Sequence, residues 1–289
     1  MSIEEISETI AVMRMREEST YKCRKYFPST KTNTEAVDEE CRVKMTQWCF
    51  QVVEFCNFSR EIVGIGMSYL DRYLCTSYGE CALKDRKIYQ LASMCSLYMA
   101  TKLFETREMD LRLLSQLSRG VYTEAEIAAM EASILSALNW FVHPPTSISF
   151  ITECMRAVPS IQKDRQTFIA LIDIAKAHTE LAVSDYAFVT IKQSSIAVAS
   201  IANAFDILNS TIPTFIRSNV LERIAILIKV DMNSNEVLQA RRMLSENWEK
   251  SRKPTTIQVV QTSERSSAYA SGGPENVSMS PVSIMNRTQ

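Results

Sequence analysis

Apolar residues recur along most of this chain at steps of three and four, the spacing of a single helix face. In residues 1–20, Ile3, Ile6, Ile10 and Met13 form one stripe. Glu4, Glu5 and Glu8 fall in its early turns, where the helix dipole favours acids. Residues 27–39 are polar, hold Pro28 and read as a linker. A first block of helices is predicted from about residue 38 to 140. Its opening helix repeats Met45, Trp48, Cys49, Val52, Val53 and Cys56 at period 3.6. A second helix, about 60–75, contains Gly64 and Gly66. Each costs about 1 kcal/mol in a helix interior, which points to close helix–helix approach. A third, about 84–104, is apolar nearly all round from Leu91 to Ala100, so it must be surrounded by protein. A short helix follows near 111–117, then one over 123–138, for which Thr123 and Glu126 supply a capping box.

His143-Pro144-Pro145 interrupts the pattern, and a second block repeats the rhythm. Helices are predicted near 146–158, 163–184, 188–208, 214–228 and 234–250. Residues 194–205 (SSIAVASIANAF) are again apolar nearly all round, about a hundred residues after their counterpart. The predicted fold class is all-α: two tandem five-helix units, each around one buried central helix, preceded by an N-terminal helix. The expected divisions are 1–37 for that helix and its linker, 38–143 and 144–251 for the two units, and 252–289 for a tail. The tail is rich in Ser, Thr, Pro and Gly and is expected to be disordered.

Composition narrows the function. Apolar types make up 46% and charged types 22%, with a formal net charge of −1, the balance of a soluble globular chain with a real core. A wholly disordered chain would be less apolar, and a generic nucleic-acid binder would carry a basic excess. Only six glycines occur, too few for the turns of a β-rich protein, and no proline lies between Pro28 and Pro144. The eight cysteines show no CxxC and no paired Cys/His spacing, and His143 and His178 are the only histidines. No metal is therefore expected, and several cysteines, at helical spacing among apolar residues, read as reduced core thiols in a reducing compartment. The opening MSIEEISETI lacks an apolar h-region, and no apolar run approaches the roughly 18 residues that span a bilayer; an intracellular, soluble chain is expected. GxGxxG, GxxxxGK[ST], GxSxG and HExxH are all absent, so neither a catalytic centre nor a cofactor is expected.

Charged residues embedded in the apolar helices carry more. Arg42 opens the first helix of block one, Asp71 sits in MSYLDRYL, Lys102 in YMATKLFET and Glu131 in AAMEASIL. Ionisable groups in apolar stripes are costly unless paired, although each alone reads equally well as a solvated helix end. Together with Leu91 they resemble the cyclin box, whose five characteristic residues are an arginine, an aspartate, a leucine, a lysine and a glutamate in this order. The surrounding RVKMTQW, SYLDRYL, MATKLFET and MEASILSALNW are similar to the family as well, and the resemblance covers about residues 1–250. It is strongest to the D-type group, through MATKLFET, the run from Leu138-Asn139-Trp140 to Phe150-Ile151, and Met15-Arg16-Glu17-Glu18. The LxCxE by which that group docks retinoblastoma-type proteins does not occur.

The resemblance implies a regulatory subunit, not itself an enzyme, that binds and activates a cyclin-dependent serine/threonine kinase in cell-cycle progression, in nucleus and cytoplasm. It implies a structural ion pair between Arg42 and Asp71. It implies kinase contacts from Lys102 and Glu131, with Leu103, Leu135 and Trp140 as apolar partners. Met45, Trp48, Gln51 and Gln90 match a groove for Arg-x-Leu substrates or inhibitors. The family often has acids where Gln47 and Gln51 stand, and Lys44 replaces an apolar residue. Neither membrane nor direct nucleic-acid partners are implied. Ser280-Pro281 in the tail has the dipeptide that a proline-directed kinase requires. Two alternatives remain at this point. One is a transcription-associated cyclin. The other is a IIB-type general transcription factor, which shares the duplicated fold but would want a zinc ribbon and a basic face.

Overall fold

A computed structural model describes residues 2–28, 36–107, 109–158 and 164–252; the tail, with Ser280, lies outside the described residues. Among the described residues there are twelve α-helices, two 3₁₀ turns and no strand. Helix α1 (Ile3–Glu18) begins at a capping box: the Ser2 hydroxyl accepts from the Glu5 N–H at 3.2 Å, and the Glu5 carboxylate accepts from the Ser2 N–H at 2.7 Å.

The first unit comprises α2 (Glu39–Phe55), α3 (Glu61–Leu74), α4 (Glu80–Lys84), α5 (Arg86–Phe104), α6 (Leu111–Leu117) and α7 (Glu124–Ala137). Helix α5 is its centre, buried continuously from Ala92 to Thr101. Thr123 and Glu126 cap α7 reciprocally, at 3.2 and 2.8 Å. The two glycines of α3 differ. A methyl group on Gly66 would lie 3.1 Å from Leu97 Cα and 3.3 Å from Ser96 O, so α3 and α5 touch backbone to backbone there. A methyl on Gly64 would meet only the Val183 side chain, at 3.5 Å. Helix α4 and the 3₁₀ turn Ser77–Gly79 are additions to the predicted elements; five residues are too few for a stripe to show.

The second unit comprises α8 (Ser147–Arg156), α9 (Arg165–Ser184), α10 (Gln193–Ile207), α11 (Thr214–Ile228) and α12 (Asn235–Arg252). Helix α10, buried from Ser194 to Phe205, is its centre. It starts later than the predicted 188, because Tyr186–Phe188 forms a separate 3₁₀ turn. Helix α1 belongs to this unit: Ile6 and Ile10 enter the core made by Phe150, Ile151, Phe205, Val220 and Ile224. The Lys192 side chain makes no cap for α10, and Glu17 of α1 does so instead. Its carboxylate accepts from the Ser194 N–H at 2.9 Å and from the Ser194 hydroxyl at 2.5 Å. Burial raises the Glu17 carboxyl above its ordinary value, opposed by these bonds and by Arg14.

No helix among the described residues is long and apolar enough to cross a membrane, and no group of His, Cys, Asp or Glu there could hold a metal ion. The cysteines are all free thiols, but only Cys41, Cys49, Cys95 and Cys154 are core residues. Cys23, Cys56 and Cys75 are half-buried and Cys81 is exposed.

Candidate functional site

The first-unit surface carries large apolar side chains where α5 ends and α7 turns. Leu103 and Phe104 close α5 and are 44% and 40% exposed; Trp140 and Phe141 follow α7 at 70% and 49%. The backbone explains the display of Trp140. Asn139 and Trp140 both take left-handed φ, 49° and 61°, a conformation that costs L-residues roughly 1–2 kcal/mol each. The turn is held by Trp140 N–H to Leu135 O at 3.0 Å and by Arg72 Nη1 to Phe141 O at 2.9 Å. The Tyr69 hydroxyl adds a bond to Val142 O. A fixed, strained turn thus holds an indole in solvent, while Leu135 packs inward against the core. The Phe104 and His143 rings, 5.2 Å apart, join the two ends of the surface.

Lys102 and Glu131 lie on this face. Lys102 Nζ donates to Glu131 Oε1 at 3.1 Å and sits 5.7 Å from the Tyr98 ring centre. The lysine side chain is 47% exposed and the glutamate 16%, so both are available to a partner laid across α5 and α7. Leu91, on the same helix as Lys102, is half-buried against the core.

Arg42 and Asp71 meet deep between α2 and α3. The guanidinium makes a bidentate pair, Nε to Oδ1 at 3.0 Å and Nη2 to Oδ2 at 2.8 Å. Its remaining Nη1 donates to Val183 O, at the end of α9, at 2.9 Å. Tyr26 O–H donates to Asp71 Oδ1 at 2.7 Å, and the Tyr186 hydroxyl accepts from the Tyr26 and Phe27 N–H groups. Burial, the largest single influence, lowers the Arg42 pKa, but the charge and hydrogen bonds of Asp71 together with Tyr26 and Tyr89 outweigh it and raise the value. The pair therefore bonds α2, α3, the segment after α1 and the second unit together. That reach to Val183 is invisible in spacing, because it spans the two units. Arg60, paired bidentately with Glu180 at 2.9 and 2.8 Å, is a second bridge that sequence reasoning missed. A cavity of about 540 Å³ lies along the same seam, lined among others by Tyr21, Cys23, Arg42, Asp71 and Gln193.

The four groove positions do not form one exposed patch. Met45 and Trp48 have no exposed surface and belong to the first core, and Gln90 is buried with its amide nitrogen unpartnered. Gln51 is exposed, as is Gln47 one turn before it.

Comparison with known proteins agrees with this architecture. Residues 8–143 match the family described as "Cyclin, N-terminal domain", and residues 145–269 that described as "Cyclin, C-terminal domain". Cyclin-A1-4 of Oryza sativa subsp. japonica is 28% identical over 187 residues, covering 64% of this chain and 51% of that one. G1/S-specific cyclin-E1 of Gallus gallus is 30% identical over 115 residues, covering 40% and 27%. G2/mitotic-specific cyclin-2 of Antirrhinum majus is 28% identical over 177 residues, covering 60% and 37%. The chain thus spans about a quarter to a half of the length of these relatives. In fold it is similar to a viral cyclin from herpesvirus saimiri, with a TM-score of 0.60 at 16% identity over 85% of this chain and 99% of that one. With both tandem domains matched in order across most of its length, the chain belongs to the cyclin family.

Proposed function

We propose that this chain is the regulatory subunit of a cyclin-dependent serine/threonine kinase and contributes no catalytic group of its own. The observation that carries the reading is the exposed apolar face of Leu103, Phe104, Trp140 and Phe141 beside the Lys102–Glu131 pair. Contiguous apolar surface rimmed by charge marks an interaction site, and a rigid exposed tryptophan makes a good anchor for one. In this proposal the kinase's regulatory helix lies across α5 and α7. Lys102 and Glu131 leave each other for backbone groups of the partner, and the kinase's Lys–Glu pair is held in its active arrangement. The cell-cycle names of the relatives support a role in division-cycle control, which this proposal sets in nucleus and cytoplasm. Arg-x-Leu substrates or inhibitors would meet α2 at the neutral Gln47 and Gln51.

Reversing both charges, Lys102→Glu with Glu131→Lys, tests the proposal. The exchanged pair can still satisfy itself across α5 and α7, so helicity and melting temperature should hold. Binding and activation of a purified cyclin-dependent kinase should be lost. A double variant that activates the kinase normally would remove these residues from the interface.

A further inference from the structure

In the turn that displays Trp140, three residues in a row have a backbone group taken by a side chain. Phe141 O accepts from Arg72 Nη1 at 2.9 Å, Val142 O accepts from the Tyr69 hydroxyl, and the His143 N–H donates to the Tyr21 hydroxyl oxygen at 3.2 Å. None of these side chains comes from α5 or α7, the helices that bear the exposed face. Tyr69 and Arg72 stand one turn apart on α3, and Tyr21 lies three residues beyond the end of α1. Tyr21 and Arg72 also meet each other, with the guanidinium carbon 4.5 Å from the tyrosine ring centre. The Tyr21 N–H donates to Arg16 O at 3.1 Å, which ties the residue to the end of α1.

Arg72 is a costly residue at this place. It is 6% exposed, and no carboxylate among the described residues pairs with it. A buried cation without a counter-charge adds little to a fold. What Arg72 makes is local: a charge-assisted bond to the Phe141 carbonyl, stronger than a neutral one, and a contact with the Tyr21 ring that keeps the guanidinium in line. The turn requires such holding. Trp140 takes a left-handed φ of 61°, and strained backbone of this kind persists only where its surroundings over-determine it.

We propose that Arg72 and Tyr21 are positioning residues for the Trp140 anchor: they hold the turn over residues 139–143 so that the indole stands ready on the face offered to the kinase. This rests on the kinase-regulatory reading above. Arg72 is buried behind the face and acts through Phe141 O; Tyr21 lines the seam cavity and acts through the His143 N–H and through Arg72. Without them the turn relaxes toward right-handed φ and Trp140 loses its fixed direction. An anchor that must be ordered on binding gives weaker binding than one already in place. Because α1 is docked on the second unit through Ile6, Ile10 and Glu17, the second unit has a hold, by way of Tyr21, on a face that belongs to the first.

The test labels the full chain with 5-fluorotryptophan and follows its three indoles, Trp48, Trp140 and Trp248, by fluorine NMR. Trp140→Phe identifies the Trp140 line, which should be single and narrow in the wild type. In Arg72→Met it should shift and broaden, and in Tyr21→Phe do so to a lesser extent. Arg72→Lys, which can still reach the Phe141 carbonyl, should bring it back toward the wild type. The line of Trp48, sealed in the first core, should stay in place throughout. A purified cyclin-dependent kinase should bind Arg72→Met about tenfold more weakly, and its affinity should follow the same order across the variants. A Trp140 line unchanged in either Arg72→Met or Tyr21→Phe overturns the proposal, as does one that moves only together with Trp48, or a kinase affinity that stays at the wild-type value while the line shifts. If Arg72→Met fails to fold, Tyr21→Phe, which loses a single hydroxyl, decides alone. The fluorine lines need no kinase: if Trp140→Ala itself binds the kinase normally, the kinase reading of the face fails while the hold of Arg72 and Tyr21 on the turn is still read directly.

Discussion

Removing either member of the Arg42–Asp71 pair should nearly unmake this protein. The side chains are 3% and 9% exposed, so whichever charge remains stays in the seam without a counter-charge. Stranding one partner of a buried pair costs about 3–5 kcal/mol. At about 2–4 °C per kcal/mol for a chain of this size, Arg42→Met or Asp71→Ala should lower Tm by about 6–20 °C. Asp71→Ala should be the worse of the two, because the Tyr26 hydroxyl also loses its acceptor, worth about 1 kcal/mol. Asp71→Asn can retain that acceptor and should fall between. The double variant Arg42→Met with Asp71→Leu leaves no buried charge and should cost less than either single change. Thermal and urea unfolding of these four variants and of Asp71→Leu, which with Arg42→Met closes the double-mutant cycle, measures the coupling. Single costs below about 1 kcal/mol, adding independently in the double variant, would mean that the pair behaves like a solvated surface pair and would refute the reasoning.

The glycines of α3 should respond with opposite signs. Gly66→Ala presses a methyl against the α5 backbone and should cost about 1–3 kcal/mol, whereas Gly64→Ala should gain up to about 1 kcal/mol from helix propensity; paired melting curves decide. His178 is fully buried and stacked 4.8 Å from Trp248; its Nδ1 donates to Ile174 O, which leaves Nε2 as an unpartnered acceptor. Burial lowers its pKa, so below the ordinary 6.5 the unfolded chain binds the proton first. Stability should therefore drop as the pH falls through 6.5 toward the lowered folded value, and the slope in urea titrations should flatten in His178→Phe. Replacing Gln47 and Gln51 by Glu should tighten binding of an Arg-x-Leu peptide by an amount that shrinks with salt; fluorescence anisotropy at two ionic strengths reads it.

Much of the helix layout was legible because its causes are local. The all-round apolar runs marked α5 and α10 as unit centres, and Thr123 with Glu126 marked the start of α7 through bonds three residues long. What escaped was non-local. The stripe of Ile6 and Ile10 predicts a helix but cannot say which unit it covers. Trp140 is apolar and yet exposed, because the left-handed turn that terminates α7 decides its direction, not its hydropathy. The pairing of Lys102 with Glu131, the reach of Arg42 to Val183 and the bridge from Arg60 to Glu180 each join residues on different helices or units. Met45 and Trp48 show the converse: their spacing marks a buried stripe, and nothing in spacing separates a sealed core from the floor of a groove.

The docking of α1 on the second unit sets a schedule for synthesis. Helix α1 leaves the ribosome before either unit, but Phe150 and Ile224, in the core that Ile6 and Ile10 enter, are made about 140–215 residues later. At about 5–20 residues per second the helix waits roughly 7–40 s with its isoleucines uncovered. The first unit can close around α5 in that interval without it. Only when Ser194 emerges does Glu17 gain the N–H it accepts from, so a helix made ahead of both units docks only after the first is complete.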